Sequence, residues 1–392
     1  MDSEIELTNK DTGTTLFVPS VTTITYFKGD LNFSYITNKI HEIIDVNPWL
    51  TSNIIKKNDS YYITYSNKLK NFCIDDYLFY AQEDIFENII NVEDYEKIMG
   101  STNKFFVKSG YKCVNNKEKL FRVTILESKK IYEPKFALIV SLSHVLGDSH
   151  TYYKLYNMIS ENSIVEKMII HRHKEFDNIT MENKYSWYSY LGVKLYKFIS
   201  SFKKNIKRFN LYILDDNELE ILKNKYKPIN NNISKNDIIT SNFFNSANCK
   251  IGLMTVNFRN IVESLNNLNA GNYVDTIKYS LNKEITPILI REKLECLKKK
   301  NNVHKDWLYL NVYILLLDFF NFFNFFNMSV ATISSWTIFN KNIELRDCEE
   351  TLHIPCISNL NSNIYLSNFA VVFKISKNQT GILSNVEYCS YN

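Results

Sequence analysis

The sequence predicts an α/β protein made of two domains of similar size that face each other. Three observations lead there. The chain has 392 residues, room for two ordinary domains. Both halves mix strand-like apolar runs with amphipathic helical stretches, and no tandem repeat is evident. Apolar residues make up 45% and charged residues 22%, the balance of a globular protein with a full core. The expected boundaries are 1–190 for the first domain, 191–210 for a linker helix and 211–392 for the second.

Composition narrows the class further. Tyr and Phe, at 26 each, are abundant, while Gly (9) and Pro (6) are scarce. Asn, Lys and Ile are also heavily used, a pattern of nucleotide bias, so a run such as Asn230–Asn232 carries no reading. A net charge of +4 is too small to imply a nucleic-acid or membrane-surface partner. The 7 cysteines are scattered without a CxxC pair, which points to reduced thiols in a cytosol-like compartment. The start, Met1 to Leu7, is acidic and lacks a signal-peptide apolar region. A cytoplasmic monomer without metal or membrane span is expected.

In chain order, Val18–Phe27 reads as a strand ended by Gly29-Asp30. Leu31, Ile36, Ile40, Ile43 and Ile44 then fall on one face of a helix that Pro48 closes. Thr51–Ile55 and Tyr61–Tyr65 read as strands, Phe72–Met99 as acidic helix or loop, Phe105–Val107 as a short strand and Leu120–Leu126 as another. Tyr185–Leu211 is a basic amphipathic stretch, read as a solvated helix face leading to the linker before a membrane or phosphate contact. His171 and His173 flank Arg172 without further ligand spacing and read as surface residues. In the second half, Asp216–Lys225 reads as helix, and Ser234 caps a helix with Asp237 in its first turn. Ile251–Phe258 reads as a buried strand ending in Arg259, and Ile288–Lys300 as a helix. The apolar run Trp307–Phe326 is nearly long enough to span a bilayer, but Asp318 and the asparagines at 311, 321, 324 and 327 make a buried helix the better reading. Met328–Ile338, Cys356–Leu360 and Phe369–Ser376 are strand candidates.

The stretch that carries chemistry is Phe136 to Tyr153. A buried strand, Phe136–Ser143, runs into His144-Val-Leu-Gly-Asp148, and Tyr152, Leu155, Tyr156 and Ile159 then take up helical spacing. A histidine at a strand end can be held rigidly and still meet a substrate, and histidine is the usual general base near neutral pH. Gly147 lets the chain turn before Asp148. A core histidine bonded to a carbonyl, with Asp148 as a helix cap, is an equal reading of these residues alone.

Several motifs now line up. His144-Val-Leu-Gly-Asp148 resembles an HxxxD motif, Ser234-Lys-Asn-Asp237 an S-x-N-D helix opening, and Val256-Asn-Phe-Arg259 with Ala270-Gly-Asn272 a D-x-R strand and its later G-N. Ser334-Ser-Trp336 with Phe339 resembles the S-W segment that precedes a closing motif. In this order they resemble the BAHD-type acyltransferases, of the superfamily that contains chloramphenicol acetyltransferase and peptide-synthetase condensation domains. There are departures. Ser149 stands where the family has glycine. Ser143 stands where condensation domains have a second histidine. Asn342–Asp347 stands where DFGWG is expected.

The resemblance implies two chloramphenicol acetyltransferase-like domains, each a mixed sheet packed with helices, paired around a central channel. It implies an acyl-coenzyme A co-substrate, a small-molecule acceptor with a hydroxyl or amine, direct attack without an acyl-enzyme, and no metal. His144 would be the base, and Asp148 would pair with Arg259 and lock the turn. Trp336, with Ser334 or Ser335, would line the acyl or oxyanion side. Two alternatives stay open: acyl transfer from a carrier protein, and a catalytically silent binding protein of the same fold.

Overall fold

The computed structural model describes residues 2–67, 72–83, 95–129, 135–179, 208–247, 251–280, 284–299, 330–357 and 368–388. Most of Tyr185–Leu211 and all of Trp307–Phe326 lie outside them.

Two sheets organise the chain. The first has five strands in the order Cys348–Pro355, Val21–Gly29, Lys135–Leu142, Phe121–Glu127 and Leu78–Gln82. All its pairs are antiparallel except the last. The second has six strands in the order Val274–Ser280, Ile251–Asn257, Val330–Ser335, Asn368–Ser376, Gln379–Ser384 and Asn210–Leu214. Val330–Ser335 is parallel to both its neighbours. A small antiparallel sheet, Asp2–Glu6, Ser60–Ser66 and Asn53–Lys57, flanks the first.

Side-chain alternation decides what each face meets. In Asn368–Ser376, Ala370 and Val372 join Phe243, Phe244 and Ile290 of the helices Lys235–Ser246 and Pro287–Lys299. Val371, Phe373 and Ile375 point the other way and pack with Ile24, Tyr26, Ala137 and Ile139 of the first sheet. Both faces are covered, so the strand reads as a near-continuous apolar run. The opposite face of the first sheet carries Ile36, Ile40, Ile43 and Ile44 of the helix Phe33–Val46, the apolar stripe seen in the sequence. The helix opening at Ser234 is a full capping box: Ser234 and Asp237 bond each other's backbone N–H. Arg291 adds a partly buried ion pair to Asp237.

Three readings need correction. Phe105–Val107 is not a strand. A 3-10 turn occupies Asn103–Phe105, and the Val107 N–H docks on the Ser141 hydroxyl at 3.0 Å instead of on a ladder. Of the strand expected at Cys356–Leu360, residues 358–360 lie outside the described residues, and Cys356 and Ile357 follow a strand, Cys348–Pro355, that crosses from the C-terminal half to pair with Val21–Gly29. Its polar start, Cys-Glu-Glu-Thr, conceals it, because only the second half, Leu352 to Pro355, is buried. Phe72–Met99 holds an edge strand, Leu78–Gln82, with Phe79 and Tyr80 exposed. Val274–Ser280 and Gln379–Ser384 are two further strands that the pattern did not single out.

The helix Ser149–Asn157 lies on the first sheet through a buried polar network. His353 Nδ1 meets Thr25 at 2.8 Å and Tyr156 at 3.1 Å, and its Nε2 meets Tyr153 at 2.9 Å. Hydroxyls can donate to one ring nitrogen and accept from the other, so the neutral ring is satisfied. A charged ring there would lack water and a counter-charge, and burial pushes the His353 pKa down to about 3. The unfolded chain takes up this proton first, so the stability this histidine provides is complete above its ordinary value of 6.5 and is lost as pH falls toward 3. Between about pH 7 and about pH 4.5 the wild type should therefore lose roughly 2–3 kcal/mol more than His353→Gln. Urea midpoints at the two pH values measure this; a parallel loss in both proteins would refute it.

Candidate active site

The strand Lys135–Leu142 delivers the chain to a turn, residues 143–148, and Asp148 starts the next helix. Its side chain accepts from the Thr151 N–H at 3.0 Å, so the capping role is real. The same carboxylate also meets Arg259, 111 residues away. Arg259 Nη1 donates to Asp148 Oδ2 at 2.8 Å and Nη2 to Oδ1 at 3.2 Å, a two-pronged pair. Asp148 is 1% exposed and Arg259 3%. Arg259 also donates to the carbonyls of Asn269 and Gly271, and the Tyr273 N–H donates to Asp148. Burial alone would push the Asp148 carboxyl up, but the charge and hydrogen bonds of Arg259 outweigh it and hold the pKa below the ordinary carboxylate range.

Gly147 has no left-handed backbone. What it supplies is room, since a Cβ there would sit 2.5 Å from the Thr151 side chain. Gly271 does need its freedom: φ is +146°, and a Cβ would lie 2.5 Å from Arg172 Nη1. Ser149, in place of the family's glycine, is the first residue of the helix and is buried.

His144 is half-buried at the head of the turn. Its Nδ1 lies 3.1 Å from Asn272 Oδ1. Which of the two donates is settled by the amide's other end. Asn272 Nδ2 faces the His144 carbonyl and Asp11 Oδ1, each at 2.8 Å, and both are acceptors. The amide oxygen must therefore face the ring, Nδ1 must carry the proton, and Nε2 keeps its lone pair. No hydrogen-bond partner takes Nε2 among the described residues. Removal of water from the ring lowers its pKa, against weaker upward pulls from its own carbonyl, Asp148, Asn272 and Asp11.

Trp336 and Ser334 lie to one side. Trp336 Nε1 donates to the Ser334 hydroxyl at 3.1 Å, and its ring packs edge-on at 6.0 Å from Tyr153 of the motif helix. Neither hydrogen-bonds to His144 among the described residues. The loop at Asn342–Asp347 is held without the family's glycines. Glu350 accepts from Ile343 N at 2.8 Å and from Asn342 Nδ2 at 3.0 Å, and Asp347 takes a left-handed φ of +58°.

Sequence reasoning passed over two site residues and underused a third. Arg172, noted only as the residue between His171 and His173, is 4% exposed and donates to the carbonyls of Val145, Leu146 and Ala270. His171 beside it is exposed, while His173 is half-buried against Asn269 and Glu175. Asp11, 1% exposed, pairs with Arg172 Nε at 2.9 Å. Asn272 was noted only as part of a motif. A T-x-x-D capping pattern at Thr8–Asp11 was the available signal for Asp11.

No family model and no curated protein sequence matches the chain. Solved structures do. Vinorine synthase superposes at a TM-score of 0.57 and 11% identity over 98% of this chain and 93% of its own. F. graminearum TRI101, solved with coenzyme A and T-2 mycotoxin, gives 0.59 and 9% over 97% and 94%. The first condensation domain of the CDA synthetase gives 0.59 and 10% over 100% and 92%. At such low identity the likeness speaks for the fold, and over nearly the whole chain that fold is the chloramphenicol acetyltransferase-like α/β architecture.

Proposed function

We propose that the protein transfers an acyl group from acyl-coenzyme A to a hydroxyl or amine of a small molecule, with His144 as general base. The observation that carries this reading is the fixed His144 ring. Its Nδ1–H is committed to Asn272, and its Nε2 lone pair has no partner among the described residues, at the head of a turn locked by the buried Asp148–Arg259 pair. In the step, Nε2 takes the acceptor's proton as its oxygen or nitrogen attacks the thioester carbonyl carbon. The new C–O or C–N bond forms, the C–S bond breaks, and the proton passes from His144 to the departing thiolate. Ser334, which accepts from Trp336, keeps its hydroxyl hydrogen to donate toward the developing oxyanion. The two units, 1–190 and 211–392 joined by 191–210, would enclose the substrates away from water. The coenzyme A bound in the TRI101 structure supports this choice of donor.

Transfer from a carrier protein is the second reading, favoured by the likeness to a condensation domain. Ser143 in place of that group's second histidine weighs against it. The test mixes the protein with acyl-coenzyme A donors of several lengths and a panel of alcohols, amines and amino sugars, and follows free thiol. Release that needs an acceptor and disappears in His144→Ala is expected. Activity with carrier-loaded donors alone would favour the second reading, and no His144-dependent release from either donor class would refute both.

A further inference from the structure

The N-terminal segment reaches into the turn that holds the base. Thr8 and Asp11 cap each other: Asp11 Oδ2 accepts from Thr8 N at 3.1 Å and Thr8 Oγ1 at 3.0 Å, and it forms an ion pair with Arg172, whose Nε lies 2.9 Å away. Its other oxygen, Oδ1, accepts from Asn272 Nδ2 at 2.8 Å. Asn272 in turn presents Oδ1 to His144 Nδ1 at 3.1 Å. The carboxylate and the imidazole are thus joined through one amide, across 261 residues of sequence on the Asp11 side and 128 on the His144 side.

We propose that Asp11 is a positioning residue: through Asn272 it selects the Nδ1–H form of His144 and so keeps the Nε2 lone pair in place. This rests on the reading of His144 as the base. The physical reason is that an amide has one donor end and one acceptor end. An acceptor-only group at position 11 and the His144 carbonyl together demand the NH₂ end, which leaves the oxygen for the ring. Partners that orient a working histidine in this way act through tautomer and geometry without touching substrate.

Asp11→Asn tests this with almost no change of shape. The two Thr8 donors and the Arg172 charge at Oδ2 will keep the new amide's oxygen on their side and turn its NH₂ toward Asn272. Two NH₂ groups then face each other, which favours flipping Asn272 and offering its NH₂ to His144 Nδ1, while the His144 carbonyl alone still draws the NH₂ the other way. The ring must answer by moving its proton to Nε2. In ¹⁵N-histidine-labelled protein, with His144 assigned by its loss in His144→Gln, the wild type should show the Nδ1–H form and Asp11→Asn a clear added share of the Nε2–H form. The kcat should fall by about 10- to 100-fold, with the KM for either substrate unchanged. If Asp11→Asn does not fold, Asn272→Ala keeps the Asp11–Arg172 pair, and loss of the Nδ1–H preference is again expected. A folded variant, either one, that retains the wild-type tautomer overturns the proposal. A tautomer change in a protein whose wild type transfers no acyl group would uphold the positioning role and sink the assigned reaction, so the two failures are separable.

Discussion

Replacing His144 by alanine will lower the rate of acyl transfer by about a hundred- to ten-thousandfold and leave the fold nearly as stable as before. The rate effect follows from removal of the lone pair at Nε2. The small stability effect follows from how little the ring holds in place. It is half-buried, and its removal leaves one amide oxygen of Asn272 without a donor, a cost of about 1–2 kcal/mol. Steady-state kinetics paired with urea unfolding checks both halves. The pH dependence adds a sign. Loss of water around the ring lowers the His144 pKa from its ordinary value of 6.5, so the base stays unprotonated into mildly acid solution. The kcat/KM of the wild type should therefore stay flat on falling through about pH 6.5 and decline only at more acid values. A decline centred at or above that ordinary value would contradict the environment described for the ring, and a slow but histidine-independent reaction would remove His144 from the mechanism.

The parts of this site differ in how well the sequence announced them, and the difference has a physical origin. The strand–turn–helix around His144 was legible because all three elements are local: an apolar run, a glycine, then helical spacing of Tyr152, Leu155 and Tyr156. The Ser234 cap was legible for the same reason. The meeting of Asp148 with Arg259 has no local cause and came only from the resemblance. Arg172 was passed over because its partners are the carbonyls of residues 145, 146 and 270 and the carboxylate of Asp11, none of which leaves a trace in the residues beside it. Asp11 was half legible. Its cap with Thr8 is a sequence pattern, whereas its bond to Asn272 is a product of the folded chain. Edge strands were the other loss. Leu78–Gln82 and Cys348–Pro355 each have only one neighbour in the sheet, and their polar or exposed residues blur the alternation that marks inner strands.

The second large effect concerns the pair itself. Arg259→Met should destabilise the protein by about 3–5 kcal/mol, because it strands the Asp148 carboxylate in a site that excludes water. Thr151 and the Tyr273 N–H would remain as partners, but no positive charge would. Asp148→Asn should cost less. The buried guanidinium would still have the carbonyls of Asn269 and Gly271 and the Asn257 side chain to donate to, so its charge stays partly solvated by protein dipoles. The double variant should be more stable than the sum of the two losses predicts, since each change removes the partner that the other leaves unmet. Acid adds a further contrast. The Asp148 pKa is held below its ordinary value of 3.8, so the stability it gives is present above that value and lost as pH falls through the folded-state value. Asp148→Asn has no such loss, and its deficit should shrink in acid while that of Arg259→Met does not grow. Urea unfolding of the four proteins near neutral pH and again in acid measures all of this. A cost below about 1 kcal/mol for Arg259→Met would mean that water reaches the pair, and the turn that carries His144 would then owe its shape to something else.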